Sequence, residues 1–257
     1  MTGPIPGRLA GRVIIVTGAA AGIGREYAVR FAAEGARLTL ADVADCSGTA
    51  QRVRAAGGEA LVVPTDVSDE AATLAMAKRT HEHYGRIDGL MNNAGLMRGL
   101  MANTILDVDM ETWDRVFAVN ARGTFLGIRA VFPYMREQGS GTIVNVSSGS
   151  ILRTARVSTE NNPHYVASKA AIMAITRSVS KELGEHGINV ITIAPGSTTS
   201  DQPEALTREQ ARPESAAALG RMGVPEDLTG VAAFLFSDDA RFISGQMLVV
   251  NGGREVW

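Results

Sequence analysis

The sequence predicts an α/β protein built on a doubly wound parallel sheet of seven strands with helices on both faces. Short runs rich in Val, Ile and Leu alternate with helical patterns along most of the 257 residues. The runs are continuously apolar, the pattern of strands covered on both sides. A glycine turn closes the first run and opens the first helical pattern, as a strand feeding a crossover helix does.

The strands are expected at Arg12–Thr17, Arg37–Ala41, Ala60–Pro64, Ile87–Met91, Gly141–Val146, Asn189–Ile193 and Gln246–Val250, each bounded by Gly, Asp, Asn or Pro. The first helix covers Gly24–Glu34, with Gly35 as its C-cap. The next covers Ser68–Tyr84, with Ser68 as N-cap and Asp69 and Glu70 in its first turn. Longer helices are expected over Trp113–Gln138 and Tyr165–Glu185, and a last one over Pro225–Ser237 opens on proline. All of residues 1–257 read as one domain. Only Pro195–Gly220 breaks the regular pattern. Its polar residues, Pro203 and Pro213 lie after the sixth strand, where ligands of such sheets bind, so it reads as a substrate lid.

Composition narrows the function. Apolar residues make up 45% and charged residues 20%, the balance of a soluble globular protein. The formal net charge of −2 gives no reason to expect nucleic acid or an anionic membrane as partner. The apolar windows, such as Val231–Phe236, are too short to span a bilayer. No signal-peptide pattern opens the chain, so a cytoplasmic protein is expected. The single cysteine, Cys46, reads as an ordinary thiol in a loop. No metal site is expected.

The turn Gly18-Ala19-Ala20-Ala21-Gly22-Ile23-Gly24 lets backbone N–H groups and a helix N-terminus face a pyrophosphate. Asp42 ends the second strand, 18 residues after Gly24. A carboxylate there accepts from ribose hydroxyls and repels a 2′-phosphate. With no basic residue at Ala21 or Val43, the cofactor is expected to be NAD. Asp66 and Val67 end the third strand, placed to meet the adenine edge or simply to cap the next helix. Asn93, Ala94 and Gly95 follow the fourth strand, and their turn lets backbone approach the cofactor.

Tyr165 and Lys169 stand four residues apart on one helical face. A free tyrosine titrates near about 10, too high for a base at neutral pH. A neighbouring ammonium favours the phenolate, so Tyr165 would act as general base on an alcohol or as acid toward a carbonyl. Lys169 would also bind the nicotinamide ribose. A hydroxyl at Ser147 or Ser148, ending the fifth strand, would steady charge on the substrate oxygen.

Together these segments identify the chain as similar to the short-chain dehydrogenase/reductase family, from Thr17 to Gly253. Further matching segments are Asn92–Gly95, Val119-Asn120, Val146-Ser147-Ser148, Pro195-Gly196, Phe242–Gln246 and Asn251-Gly252-Gly253. The resemblance implies a Rossmann fold and a catalytic tetrad of Asn120, Ser148, Tyr165 and Lys169, with Asn120 holding a water that links Lys169 to solvent. It implies cofactor contacts at Pro195, Gly196, Thr198 and Ser200, and backbone near Ile14 and Ala194 bordering the cofactor. It also implies a homotetramer or dimer formed through the long helices.

The sequence departs from the family pattern in two places. The gap from Ser148 to Tyr165 is 17 residues, longer than usual, so Ser148 or Ser150 faces the substrate and Arg153–His164 lines its pocket. Ser200 stands where the family has a threonine. The expected reaction is the NAD(H)-linked interconversion of a secondary alcohol and a ketone. Its substrate is expected to be a small aryl or alicyclic alcohol or a hydroxysteroid. Leu96, Met97, Leu152 and Leu206 are apolar pocket candidates, while Arg98, Arg153 and Arg156 leave room for an acidic group. A 3-oxoacyl-thioester or sugar ketoreductase is the alternative within the family. A non-catalytic dinucleotide sensor is the alternative of another class.

Overall fold

Seven parallel strands form one sheet in the computed structural model, which describes residues 7–97, 100, 105–152, 162–199 and 217–255. They are β1 (Val13–Thr17), β2 (Arg37–Asp42), β3 (Glu59–Pro64), β4 (Gly89–Asn92), β5 (Gly141–Val146), β6 (Ile188–Pro195) and β7 (Met247–Val250). The order across the sheet is β3-β2-β1-β4-β5-β6-β7. The chain works outward from β1 to β3, then returns to the other side of β1 at β4. That reversal parts the loops after β1 and β4 and opens a crevice at their carboxyl ends.

The helices explain the continuous apolar runs. Ile14 and Val16 of β1 face a core shared with Tyr27, Phe31, Val53 and Phe236, while Ile15 faces one shared with Met76, Val131 and Met135. The first group comes from α1 (Gly22–Ala33), α2 (Ser47–Ala55) and α7 (Pro225–Leu235), with Phe236 just beyond α7. The second comes from α3 (Glu70–Tyr84) and α5 (Gly123–Gln138), with α6 (Pro163–Gly184) adding Leu183. Successive strand residues point to opposite faces, so a sheet covered on both sides needs an apolar residue at every position.

Three local expectations are corrected. Helix α2 was not read from the sequence, because only Thr49, Ala50 and Val53 of its nine residues are buried. Cys46 lies in the loop expected for it, as the N-cap of α2, and burial pushes its thiol up to about 11. Helix α3 starts at Glu70 and is capped by Asp69, whose carboxylate accepts from the Ala71 N–H at 2.9 Å. Ser68 instead turns back to Asp66, donating to it from Oγ at 2.7 Å and from its backbone N–H at 2.8 Å. The helix expected over Trp113–Gln138 is α4 (Met110–Phe117) and α5 joined by a wider π turn at Ala118–Arg122.

Candidate active site

The glycine turn after β1 uses its three glycines differently. Gly18 has φ +66°, a backbone that side chains other than glycine's rarely allow. A Cβ on Gly24 would lie 2.0 Å from the Gly18 carbonyl oxygen and 2.5 Å from Asn93 Nδ2. Gly22 is the open one, with nothing within 4 Å of where its Cβ would be. Helix α1 begins there, and no side chain at Ala21 caps it. Ile23 packs toward the core.

Asn93 and Ala94 lock this turn to the end of β4. Asn93 Nδ2 donates to the carbonyls of Thr17 at 3.0 Å and Gly18 at 3.2 Å. The backbone N–H groups of Asn93 and Ala94 both donate to Thr17 Oγ1. Thr17 was not singled out by sequence reasoning, although it opens the glycine motif.

Asp42 stands beside the turn at the end of β2. One carboxylate oxygen accepts from the Ala20 N–H at 3.0 Å and the other from the Ala44 N–H at 3.0 Å. A carboxylate offers about four acceptor positions, so two backbone bonds orient Asp42 and leave capacity for a pair of hydroxyls. Val43 beside it is 76% exposed and offers an apolar face. Asp66 is exposed and committed to Ser68, while Val67 is buried against Gly123. The space beside the Gly22 Cα, the α1 N-terminus and the oriented Asp42 fit a dinucleotide laid across the crevice.

Four residues named from the sequence converge around the ends of β4 and β5. Lys169 is buried, and its Nζ donates to the Val146 carbonyl at 2.9 Å. Burial lowers its pKa to about 8. Its ammonium lies 5.8 Å from the centre of the Tyr165 ring. Asn120 sits in the π turn, fully buried. Its Oδ1 accepts from the Leu96 N–H at 2.7 Å, and its Nδ2 donates to the Leu96 carbonyl and to Ser168 Oγ. A Cβ on Gly95 would sit 3.2 Å from Lys169 Nζ and 3.3 Å from Asn120 Oδ1. The bare backbone at Gly95 therefore leaves room for both polar groups. The Asn120 side chain is a clamp on the β4 loop, and Ser168 is a partner that sequence reasoning missed.

The serines separate cleanly. Ser147 is buried and donates to the Lys169 carbonyl at 2.7 Å, which fixes it to α6. Ser148 Oγ accepts from the Ser150 N–H at 3.2 Å. A hydroxyl that accepts there keeps its own proton for another oxygen. Ser150 Oγ is buried with no hydrogen-bond partner among the described residues. Around Tyr165 the walls are apolar: Leu96, Leu100, Val116 and Val166.

The loop after β6 is pinned on both sides. The Gly196 N–H donates to the Val250 carbonyl, and Thr198 pairs with Gly223. Thr198 Oγ1 donates back to the Gly196 carbonyl at 3.0 Å. Pro195 ends β6 itself. Ile14 proves to be a mid-strand core residue, fully buried and packed at Gly89; it does not border the crevice. Ser200, Leu206, Arg98, Arg153, Arg156 and most of the expected lid lie outside the described residues. Among the described residues no group of His, Cys, Asp and Glu gathers to hold a metal, and no helix is long and apolar enough to cross a membrane.

Residues 18–255 match the family model described as enoyl-(acyl carrier protein) reductase. The chain is 36% identical to levodione reductase of Leifsonia aquatica, over 96% of this chain and 95% of that one. It is 34% identical to 2,5-dichloro-2,5-cyclohexadiene-1,4-diol dehydrogenase of Sphingobium indicum, over 97% and 98%. The chain belongs to the short-chain dehydrogenase/reductase family. A solved short-chain dehydrogenase/reductase from Mycobacterium marinum superposes with a TM-score of 0.90 at 31% identity, over 97% of both chains. The protein is thus an oxidoreductase acting on alcohol or ketone groups, of a family that uses NAD or NADP. A phenol beside a buried ammonium and a serine hydroxyl after β5 lie at the crevice end of the sheet.

Proposed function

We propose that this short-chain dehydrogenase/reductase interconverts a ring-borne, largely apolar secondary alcohol and its ketone with NAD(H), Tyr165 moving the proton. The observation that carries the reading is the buried Lys169 ammonium beside the Tyr165 ring. With a pKa of about 8 it stays charged at neutral pH, and a cation there favours the phenolate. Tyr165 then takes the hydroxyl proton in oxidation and returns it in reduction. Ser148 donates to the substrate oxygen and holds it toward Tyr165. Asn120 keeps the β4 loop, Ser168 and the space around Lys169 in register.

NAD, when bound, accepts or supplies the hydride. Gly18, Ala21, Gly22, Ile23 and Gly24 would hold its phosphates, with Asp42 and Val43 at the adenosine ribose and Asp66 and Val67 at the adenine. Asn93, Ala94, Gly95, Pro195, Gly196, Thr198 and Ser200 would line its nicotinamide half, with Lys169 on that ribose. Asp42 and the absence of a basic residue at Ala21 and Val43 favour NAD over NADP.

The apolar walls at Leu96, Leu100, Val116 and Val166 suit an alicyclic or aryl ring. The two relatives act, by their names, on levodione and on a cyclohexadiene diol. Acyl thioesters are the second reading, favoured by the acyl-carrier-protein description of the family model. We also read the protein as cytoplasmic and as a homotetramer; Phe125 on α5 and the hollow lined by Asp114, Phe117, Ala118, Ala121 and Arg122 would offer a face to a second copy.

The test is a panel of cyclic and aryl secondary alcohols, hydroxysteroids, the matching ketones and 3-oxoacyl thioesters, followed by NADH or NADPH absorbance. Turnover of a ring alcohol with NAD is expected. Turnover of acyl thioesters alone supports the second reading, and NADP-only turnover overturns the cofactor assignment.

A further inference from the structure

The chain beyond β7 folds back across the carboxyl end of the sheet. Strand β6 lies between β7 and β5. Neighbouring strands are about 4.8 Å apart, so a residue after β7 that reaches the end of β5 has crossed roughly 10 Å. Glu255 makes that crossing. Its Oε2 lies 3.2 Å from where a Cβ on Gly149 would sit, and Gly149 directly follows Ser148.

The carboxylate is held in place. Asn251 Nδ2 donates to Glu255 Oε2 at 2.9 Å and to its backbone carbonyl at 3.0 Å. Arg254 Nε lies 3.5 Å from Glu255 Oε1, and its guanidinium donates to Ser197 Oγ. Both charged side chains are largely buried, at 14% and 10% exposure. The contact with the β6 loop is close, since a Cβ on Gly196 would lie 2.7 Å from Asn251 Cβ. Three loops therefore meet behind the candidate site: Ser148-Gly149, Pro195–Ser197 and Asn251–Glu255. A buried ion pair is by itself weak evidence of net stability.

We infer that Glu255 is a positioning residue: wedged behind Gly149 by Asn251 and Arg254, it holds the turn that aims the Ser148 hydroxyl at the substrate oxygen. The inference rests on the role given above to Ser148. Within the turn the Ser150 N–H donates to Ser148 Oγ and the Ile151 N–H donates to the Ser148 carbonyl at 3.3 Å. Support from behind Gly149 adds to these bonds in fixing the hydroxyl.

The experiment uses the full chain as wild type, Glu255→Ala, Glu255→Gln, Ser148→Ala and the Glu255→Ala/Ser148→Ala double variant. A loosened catalytic group costs rate more than binding, so Glu255→Ala is expected to lower kcat about tenfold while NADH affinity by fluorescence stays within about twofold. Glu255→Gln, which keeps the Asn251 bond and fills the same space, recovers most of that loss. If Glu255 acts through Ser148, its removal costs under about twofold in the Ser148→Ala background. Hydrogen exchange at the Ser150 and Ile151 amides of folded Glu255→Ala is expected to rise. Fully additive losses, or an unchanged kcat in folded Glu255→Ala, overturn the inference. If the wild type turns over no alcohol or ketone, it is the proposed function that has failed. Exchange at those two amides still decides the inference, and unchanged exchange overturns it.

Discussion

Lys169 and Asp42 show how much a single side chain's surroundings add to its identity. Burial brings Lys169 to about 8, against about 10.4 for an unfolded lysine. Between those values the unfolded chain keeps a proton that the folded chain has released, so stability rises with pH across the window. Below it, burying the ammonium costs about 3 kcal/mol. Lys169→Met is therefore expected to abolish turnover yet raise Tm at pH 7 by about 5 °C, with the gain shrinking toward pH 10. Thermal melts of both proteins at the two pH values check this; a constant difference would contradict it. Asp42→Ala removes the carboxylate that repels a 2′-phosphate. It is expected to bring kcat/KM for NADP within about tenfold of that for NAD, and an unchanged cofactor ratio would remove Asp42 from that role. Tyr165, Lys169 and Asp42 were legible because each is a chemical type at a readable spacing. Ser168 was not, nor were the bonds that Asn93 and Ser147 make, because these depend on which loop each side chain faces.

At the scale of elements, strands were easier to read than helix ends. The apolar runs gave every strand to within two residues, since a doubly covered strand is mostly apolar and carries only isolated polar residues such as Thr39, Asn145 and Thr192. Helix α2 was lost because its buried face is only three residues wide. The π turn at Ala118–Arg122 left no mark in the sequence, yet it carries Asn120 into the site; such turns widen a helix where function needs it. The cap of α3 was misplaced by one residue because Ser68 and Asp69 are both good caps and only geometry separates them. That correction is testable. Asp69→Ala is expected to cost about 1 kcal/mol by urea unfolding and Ser68→Ala less than half as much; the reverse order would restore Ser68 as the cap.

At the scale of the molecule, strand order explains why residues from Gly18 to Glu255 share one edge of the sheet. Reversal between β1 and β4 opens the crevice, and parallel strands deliver the glycine turn, Asp42, the Asn93 loop, Ser148 and the Pro195 loop to the same end. This much was predictable from alternation alone. The walls around Tyr165 were not, because Leu100, Val116 and Val166 come from separate parts of the chain that only the fold brings together. On the function proposed above, this edge performs an alcohol–ketone oxidoreduction with Tyr165 as its acid and base. Tyr165→Phe removes one oxygen from that edge and leaves the ring. The decisive measurement is kcat of this variant on the substrate the wild type turns over, beside its NADH affinity by fluorescence. A loss of at least about a thousandfold in kcat, with affinity within a few-fold, is expected; a variant that keeps most of its activity would contradict the acid/base role of Tyr165.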